Sequence, residues 1–434
     1  MRDLGSVRQL LFRNTLAQLT AHAVGLGIGF LTTLILSRQL GVAGFGQLNY
    51  IFAFCSFFLT FNDFGIQTAV VREISQRKED TARILGGILL FKFLLGLFLL
   101  LTAWISLTFL KLPPSLTRSA RIYMLVLPIM ALETVTIVYQ TSLRLHRWAW
   151  WGILYRLMSL ALIFTAARLG FQLKGTVLAL VLAEALFLAL LWQDTRAFIS
   201  FRWKVDTRLW IRVLRASLVL GTMGFFVTVV NRSGFILLER LAGLSQVGLY
   251  SAAFKVTSLL EGLPLMVMGT LFPLFSRYAR EDANRLRVLY RKSSVGLCLL
   301  AVPIGVCVTL FSGFIVRRLF GLPFVQAAPT LATLVWATVF LYPAICSGNL
   351  LISLGKEWNN LIIMLAASLL SVSLNLAWIG PLGSLGAARA QVITCLFVLV
   401  ANTFSVEWAF RRLRFRPPVP TPPPWQTSPP AALN

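Results

Sequence analysis

Two apolar runs near the start of the chain decide its fold. Residues 16–36 and 47–68 read LAQLTAHAVGLGIGFLTTLIL and QLNYIFAFCSFFLTFNDFGIQT. Each has about the 20 residues that an α-helix, rising ~1.5 Å per residue, needs to cross ~30 Å of hydrocarbon. A ten-residue segment that contains three glycines, residues 37–46, joins them. The pair therefore predicts two membrane-spanning helices connected by a short loop.

The remainder of the 434 residues continues this pattern. Hydrophobic residues make up 57% of the chain, charged residues only 13%, and the mean hydropathy is +0.79. A soluble domain carries roughly a quarter of charged residues, so the composition excludes a water-soluble protein. We predict an all-α integral membrane protein with about twelve transmembrane helices, numbered spans 1 to 12. They fall at about 16–36, 47–68, 84–110, 122–143, 152–168, 176–192, 214–238, 249–273, 293–313, 329–353, 359–379 and 386–408.

The positive charge is distributed unevenly between the two sides of this arrangement. The formal net charge is +25, from 40 Lys and Arg against 15 Asp and Glu. With the N-terminus inside, cytoplasmic segments hold about 26 of the 40 and external loops about 9, counting helix-end arginines with the adjoining loops. Positive residues mark cytoplasmic loops. The excess therefore predicts an inner-membrane protein with both termini cytoplasmic, surrounded by lipids and without a nucleic-acid partner.

Cysteine, histidine and proline usage narrows the function classes further. The five cysteines lie within spans without a C-x-x-C pair, and the chain has only two histidines. We therefore predict no metal site and no bound cofactor. The segment after Arg416 has eight prolines in eighteen residues, which is typical of a disordered extension.

The chain contains an internal repeat at a fixed offset of 202 residues. It extends over about seventy positions, and Lys78-Glu79-Asp80 aligns with Arg280-Glu281-Asp282. Further aligned pairs are Arg13 with Arg215, Leu36 with Leu238, Arg38 with Arg240, Gly41 with Gly243, Gly46 with Gly248, Ser56 with Ser258, Thr68 with Thr270 and Arg83 with Arg285. A fortuitous match between generic spans is the alternative.

The repeat relates spans 1 and 2 to spans 7 and 8, which have the same orientation. It predicts two pseudo-symmetric six-helix lobes, a transporter architecture with its site between the lobes near the midplane. The boundaries we expect are 1–192 for the first lobe, 193–213 for a cytoplasmic linker, 214–410 for the second lobe and 411–434 for a basic, proline-rich tail.

Polar residues inside the spans fall on single helix faces. Such residues are costly in lipid and tend to face a bundle interior or a wet cavity. On this ground the cavity candidates in spans 1 and 2 are Asn14, Gln18, His22, Asn49 and Thr60. Gly25 and Gly29 lie on the same face of span 1 and form either a helix-packing contact or part of a cavity wall. The 202-residue offset places Lys255 and Asn231 on the equivalent faces of spans 8 and 7, and Arg232 follows Asn231.

The ionisable residues within spans are the sharpest functional candidates. Arg232 and Lys255 could bind a phosphate-bearing substrate, or could pair structurally with Glu261 or Glu133. Lys92 is a further candidate, although an isolated lysine in span 3 is expected to snorkel towards the interface.

Four acids complete this set. Asp63, which could instead meet Arg72 or water, is a coupling-ion candidate together with Glu133 and Glu261. Glu184 is a lone acid in the middle of span 6.

The first 80 residues resemble the Wzx-type oligosaccharide flippases, a polysaccharide-exporter branch of the superfamily that includes the MATE drug exporters. The segments that carry the resemblance are Arg13-Asn14, Leu36-Ser37-Arg38-Gln39-Leu40-Gly41, Gly44-Phe45-Gly46, Asp63-Phe64-Gly65, Arg72-Glu73, Gly243 to Lys255, Leu271-Phe272-Pro273 and Leu354-Gly355-Lys356. The resemblance extends over most of the chain to about residue 410. Family members often carry an acidic residue in the seventh helix where this chain has Gly234. The resemblance therefore does not support a coupling-ion site on that helix.

The resemblance implies a MATE-like fold with a cavity lined mainly by spans 1, 2, 4, 7, 8 and 10. It implies a non-enzymatic flippase that carries a polyprenyl-diphosphate-linked glycan to the outer leaflet of the bacterial inner membrane by alternating access. An Na⁺ or H⁺ gradient would drive it, and the polymerase or glycosyltransferases of the same surface-polysaccharide pathway would be its protein partners.

Two other readings compete with this one. A drug or metabolite exporter, or a lipid II flippase, would keep the fold and change the cargo; a lipid II flippase is expected to have two further spans. A membrane glycan polymerase or ligase would be an enzyme, but its catalytic outer loop has no counterpart, since the outer segment 314–328 lacks His, Asp and Glu.

Overall fold

A computed structural model describes residues 4–76, 81–142, 144–197 and 205–414; the side chains of 4–19, 22, 75–76, 140, 145 and 412–414 are also left undescribed. This part of the chain is all helical, with two short 3₁₀ helices at Glu133–Thr136 and Leu322–Ala327. The α-helices are α1 Leu4–Asp63, α2 Ile66–Gln76, α3 Thr81–Phe109, α4 Pro114–Met124, α5 Val126–Leu132, α6 Ile137–Thr141, α7 Leu145–Arg168, α8 Leu173–Arg196, α9 Thr207–Ala242, α10 Leu244–Leu260, α11 Gly262–Glu281, α12 Ala283–Leu310, α13 Ser312–Phe320, α14 Ala328–Ser353, α15 Glu357–Leu382 and α16 Ser384–Arg414.

The predicted fold class is confirmed. Eleven helical segments of the described chain are long and apolar enough to cross a membrane, and the first, Ala23–Ile74, has 52 residues and contains most of span 1 and all of span 2. Spans 2, 4 and 8 are each broken into shorter helices, α1–α2, α4–α6 and α10–α11. The chain is a multi-pass membrane protein. The lobe boundaries predicted above remain predictions.

Two glycines at the predicted repeat offset make equivalent turns. Gly41 has φ 65° between spans 1 and 2, and Gly243 has φ 86° between spans 7 and 8. Backbone with positive φ is unstrained for glycine because it lacks a Cβ. Each glycine interrupts the helix with a non-helical residue, and the next span begins immediately afterwards.

A second pair of repeat-related glycines brings the two halves of the chain together. A Cβ on Gly46 would lie 2.0 Å from the carbonyl oxygen of Leu244, and a Cβ on Gly248 would lie 2.0 Å from that of Val42. Val42 and Leu244 are themselves 202 residues apart. The contact is therefore reciprocal, as at a two-fold interface, and we call it the glycine crossing.

The connection between spans 9 and 10 adds a second contact at this end of the molecule. Its helix α13 and the following 3₁₀ helix place Phe320 and Phe324 against Phe45, just before span 2, with ring centroids 6.4 and 5.9 Å from that of Phe45. Arg38, just after span 1, donates to carbonyl oxygens in the last turn of α13 at 3.1 and 3.3 Å. A cation at a helix C-terminus is favoured by the helix dipole. Spans 1 and 2 therefore contact the second half of the chain through more than the glycine crossing.

Ion pairs join the halves at the opposite end. Arg212 at the start of α9 donates to Glu73 of α2 at 2.6 Å. Asp206 caps α9 by accepting from the Leu209 N–H at 3.1 Å and pairs with Arg83 at 3.3 Å. The backbone donor and then the guanidinium lower the pKa of the Asp206 carboxyl. These contacts fix the entry of span 7 beside spans 2 and 3.

Candidate functional site

Arg232 and Lys255 form a cationic pair in the second half of the chain. The Arg232 guanidinium carbon lies 5.7 Å from the Phe235 ring centroid and 5.4 Å from that of Phe254. Lys255 follows Phe254 in α10, and its charge lies close enough to that of Arg232 for the two to interact. The aromatic faces stabilise the guanidinium by cation–π attraction and hold it beside the lysine.

This pair has no carboxylate in direct contact. In the described chain no acidic oxygen lies within 4 Å of either cation. Glu261 acts on Arg232 from further away, and Glu133 belongs to a different cluster. Two cations facing one distant acid leave net positive charge at membrane depth, where it is costly unless an anion offsets it.

The remaining candidates around this pair contribute to packing. Asn231 accepts from the Gln391 side chain at 3.3 Å, which ties span 7 to span 12. A Cβ on Gly234 would lie 3.4 Å from the Asn375 side-chain oxygen and 3.8 Å from Ala387. Both distances are ordinary van der Waals contacts, so a Cβ fits at this position without displacing its neighbours.

A second ionisable cluster lies in the first half. The Lys92 Nζ lies 3.6 Å from an Asp63 carboxylate oxygen, and the Lys92 side chain is 6% exposed. Glu133 lies close enough to Glu184 for the two carboxyl groups to interact, Glu184 likewise interacts with Tyr155, and the Lys92 charge acts on Glu133. Two carboxyl groups that interact in a low-dielectric interior favour a state in which one of them holds a proton. The cluster therefore connects one basic side chain, three acids and a tyrosine across spans 2, 3, 4, 5 and 6.

Two expectations from the sequence are wrong in this cluster. Lys92 does not snorkel, because Asp63 lies within reach at the same depth and the ammonium is buried against it. Glu184 is not a lone acid, because span 4 presents Glu133 to it. The sequence could have predicted the Glu133–Glu184 pair, because ionisable residues within spans tend to pair with one another in low dielectric.

The polar candidates of spans 1 and 2 have mixed outcomes. The Asn49 side chain is buried and donates to the Phe45 carbonyl of its own helix at 2.9 Å. The Thr60 hydroxyl lies 2.7 Å from that of Thr228, so it joins span 2 to span 7. The side chains of Asn14, Gln18 and His22 lie outside the described residues. The described chain holds no group of three metal-ligating side chains.

The fold is similar to those of solved transporters. The lipid II flippase MurJ in an inward closed conformation matches with TM-score 0.76 and 13% identity, over 92% of this chain and 89% of that one. An inward-facing multidrug resistance MATE family transporter of the MOP superfamily matches with TM-score 0.69 and 17% identity, over 89% and 94%. Identities this low show the fold alone, which is the predicted MATE-like one.

The sequence is similar to a curated protein and to a family model. The succinoglycan biosynthesis transport protein ExoT of Rhizobium meliloti (strain 1021) is 24% identical over 280 residues, 63% of this chain. The match spans 56% of the length of that relative. The model of the polysaccharide biosynthesis protein family matches residues 11–279, more than half of the chain. The resemblance read from the motifs is therefore confirmed, and the chain belongs to the polysaccharide biosynthesis protein family.

Proposed function

We propose that this protein is a non-enzymatic flippase that moves a polyprenyl-diphosphate-linked oligosaccharide across the bacterial inner membrane for surface polysaccharide biosynthesis. Arg232 and Lys255 bind the diphosphate, the sugars occupy the space between the halves, and the lipid tail stays in the bilayer. Rocking of the halves exposes the site to each side in turn. Binding drives this motion only through different affinities for the two states.

One observation carries the proposal, namely the cationic pair without a contacting carboxylate at membrane depth. A diphosphate loses hydration when it enters the protein, and charge-assisted hydrogen bonds from guanidinium and ammonium groups replace it. Family membership and the transporter fold support the same reading.

The test is translocation of a fluorescent polyprenyl-diphosphate oligosaccharide in proteoliposomes. We expect Arg232→Gln with Lys255→Gln to reduce transport at least about 100-fold, since each lost charge-assisted bond costs about 1.5–3 kcal/mol. The double variant Arg208→Gln with Lys292→Gln removes the same charge from exposed positions and should transport normally. Unchanged transport in the Arg232/Lys255 variant, with wild-type folding by melting temperature, would overturn the proposal.

We propose further that the Glu133–Glu184 pair, with Asp63 alongside and Glu261 in the other half, couples transport to an H⁺ or Na⁺ gradient. A pair that shares one proton can exchange it for a second proton or a cation as its surroundings open. Imposed pH and Na⁺ gradients across proteoliposomes distinguish the two ions. Glu133→Gln should abolish gradient stimulation while Glu357→Gln, at the exposed start of α15, should preserve it; stimulation that survives Glu133→Gln and Glu184→Gln would refute this role.

The orientation and the setting are also proposals. Both termini lie in the cytoplasm, as the positive residues indicate, and reporter fusions at each terminus in intact cells test this. The partners are the polymerase or glycosyltransferases of the same pathway. Deleting the gene should stop the surface polysaccharide while its lipid-linked repeat unit accumulates on the inner leaflet.

A different cargo is the alternative favoured by the fold, because both MATE transporters and MurJ share it. Lipid II and a cationic drug serve as competing substrates in the same vesicles. Transport of either, with none of the oligosaccharide, would replace the proposed cargo.

A further inference from the structure

A cation in span 5 that neither the repeat nor the polar faces singled out lies against span 1. Arg156 is 10 residues from the start of the apolar segment His146–Arg168 and 12 from its end, which places it about 15 Å from one end and about 18 Å from the other at ~1.5 Å per residue. The side chain is half-buried. Its charge is therefore at the depth where an unpaired cation is most costly.

Two glycines of span 1 make room for the guanidinium. A Cβ on Gly25 would lie 2.6 Å from the Arg156 Cζ and 2.7 Å from Nη1, and a Cβ on Gly29 would lie 3.6 Å from Nη1. Gly27, between them, faces open space. The Gly25-x-x-x-Gly29 pattern is thus occupied by an arginine head group rather than by a second helix backbone.

No acid offsets this charge directly. In the part of the chain whose side chains the structure describes, no carboxylate oxygen lies within 4 Å of the Arg156 guanidinium. A planar guanidinium without a carboxylate partner presents paired donors that match a carboxylate or phosphate. Arginines at this depth mark substrate pathways by default.

We propose that Arg156 is a second anion-binding site, on the first half of the molecule, for an acidic group borne by the sugars of the cargo. This rests on the proposed function. The diphosphate already has Arg232 and Lys255 in the second half, whereas Arg156 lies against Gly25 of span 1 in the first half. Arg156 therefore recognises a different anion, a sugar carboxylate or a sugar phosphate, and makes the protein selective for acidic glycans.

The test measures binding to the full-length protein in nanodiscs with three synthetic polyprenyl-diphosphate oligosaccharides of equal length. One is neutral, one ends in a uronic acid and one carries a sugar phosphate. Arg156→Gln should weaken binding of one or both acidic probes about 10- to 100-fold, the range for losing a charge-assisted hydrogen bond, and leave the neutral probe within twofold. The acidic probe with the larger loss identifies the anion.

Gly25→Ala provides a variant that keeps the Arg156 charge but places a methyl group in the space that the guanidinium occupies. The guanidinium is the end of a flexible side chain and can be displaced, so the protein should fold while binding of the acidic probe falls as in Arg156→Gln. Gly27→Ala adds the same methyl group to open space and should bind all probes normally.

Three results overturn the inference. Equal loss for neutral and acidic probes in Arg156→Gln would place the arginine at the diphosphate or in the fold, and no loss for any probe would make it structural. An effect of Gly27→Ala equal to that of Gly25→Ala would remove the steric argument. The proposed function fails separately, if the neutral probe does not bind the wild type or binds the Arg232/Lys255 variant equally well.

Discussion

The glycine crossing should control the equilibrium between the closed and open arrangements of the two halves, at the end that the charge pattern places outside. Gly248→Ala introduces a Cβ 2.0 Å from the Val42 carbonyl oxygen. Cβ atoms practically never approach a heavy atom closer than 3.0 Å, so the two helices must move apart by about 1 Å or more. Both atoms belong to backbone, and neither can rotate away.

The free-energy cost follows from this overlap. Overpacking of a tight interface costs about 1–3 kcal/mol, and about 1.4 kcal/mol is a tenfold change in an equilibrium constant. The closed arrangement of this end should therefore become about 5- to 150-fold less populated relative to the open one. Gly46→Ala, the reciprocal change, should act in the same direction.

Double electron–electron resonance, which measures the distance between two spin labels, reports the change in the population of the closed arrangement directly. Spin labels at Ser115 and Leu241, both exposed, flank the crossing from the two halves in a cysteine-free background. The long-distance population should grow in Gly248→Ala and stay unchanged in Gly269→Ala, whose Cβ meets no neighbour within 4 Å. Identical distance distributions in both variants would refute the view that close glycine packing holds this end shut.

Three further outcomes follow from other contacts. Asp63→Asn should lower stability by about 1–3 kcal/mol by leaving the buried Lys92 uncompensated, and adding Lys92→Met should restore the melting temperature; a double variant less stable than the single one would contradict this. Because the folded-state pKa of Asp206 is lowered, its contribution is complete above the unfolded value of about 3.9 and is lost as pH falls through the folded value. Asp206→Asn should therefore lower the melting temperature at pH 6, and the difference should shrink as the pH falls below about 3.9; a constant difference would exclude the carboxylate as its cause. Phe254→Leu removes one of the two rings that contact Arg232 and should weaken binding of the neutral lipid-linked probe about two- to thirtyfold, whereas unchanged binding would show that the ring does not position the guanidinium.

The internal repeat shows how much of the tertiary structure a sequence pattern can predict. The offset of 202 residues identified Gly41 with Gly243 and Gly46 with Gly248 before any contact was known. The structure places positive φ at the first pair and a reciprocal contact at the second. The repeat could predict equivalence because both halves inherit the same backbone requirements. It could not predict that Gly46 and Gly248 touch each other, since contact depends on how the halves dock.

The sequence by itself determined the fold class, the twelve spans and the distribution of positive charge, because hydropathy and helix length act locally along the chain. Only the tertiary structure decided which charges have partners. Lys92 meets Asp63, Glu184 meets Glu133, and Arg156 fills the space left by Gly25. Each of these pairs joins different spans, whose rotation and depth come from packing between helices. Almost every face of a span in a lipid environment is apolar, so hydrophobic periodicity carries little information about which face turns towards which neighbour.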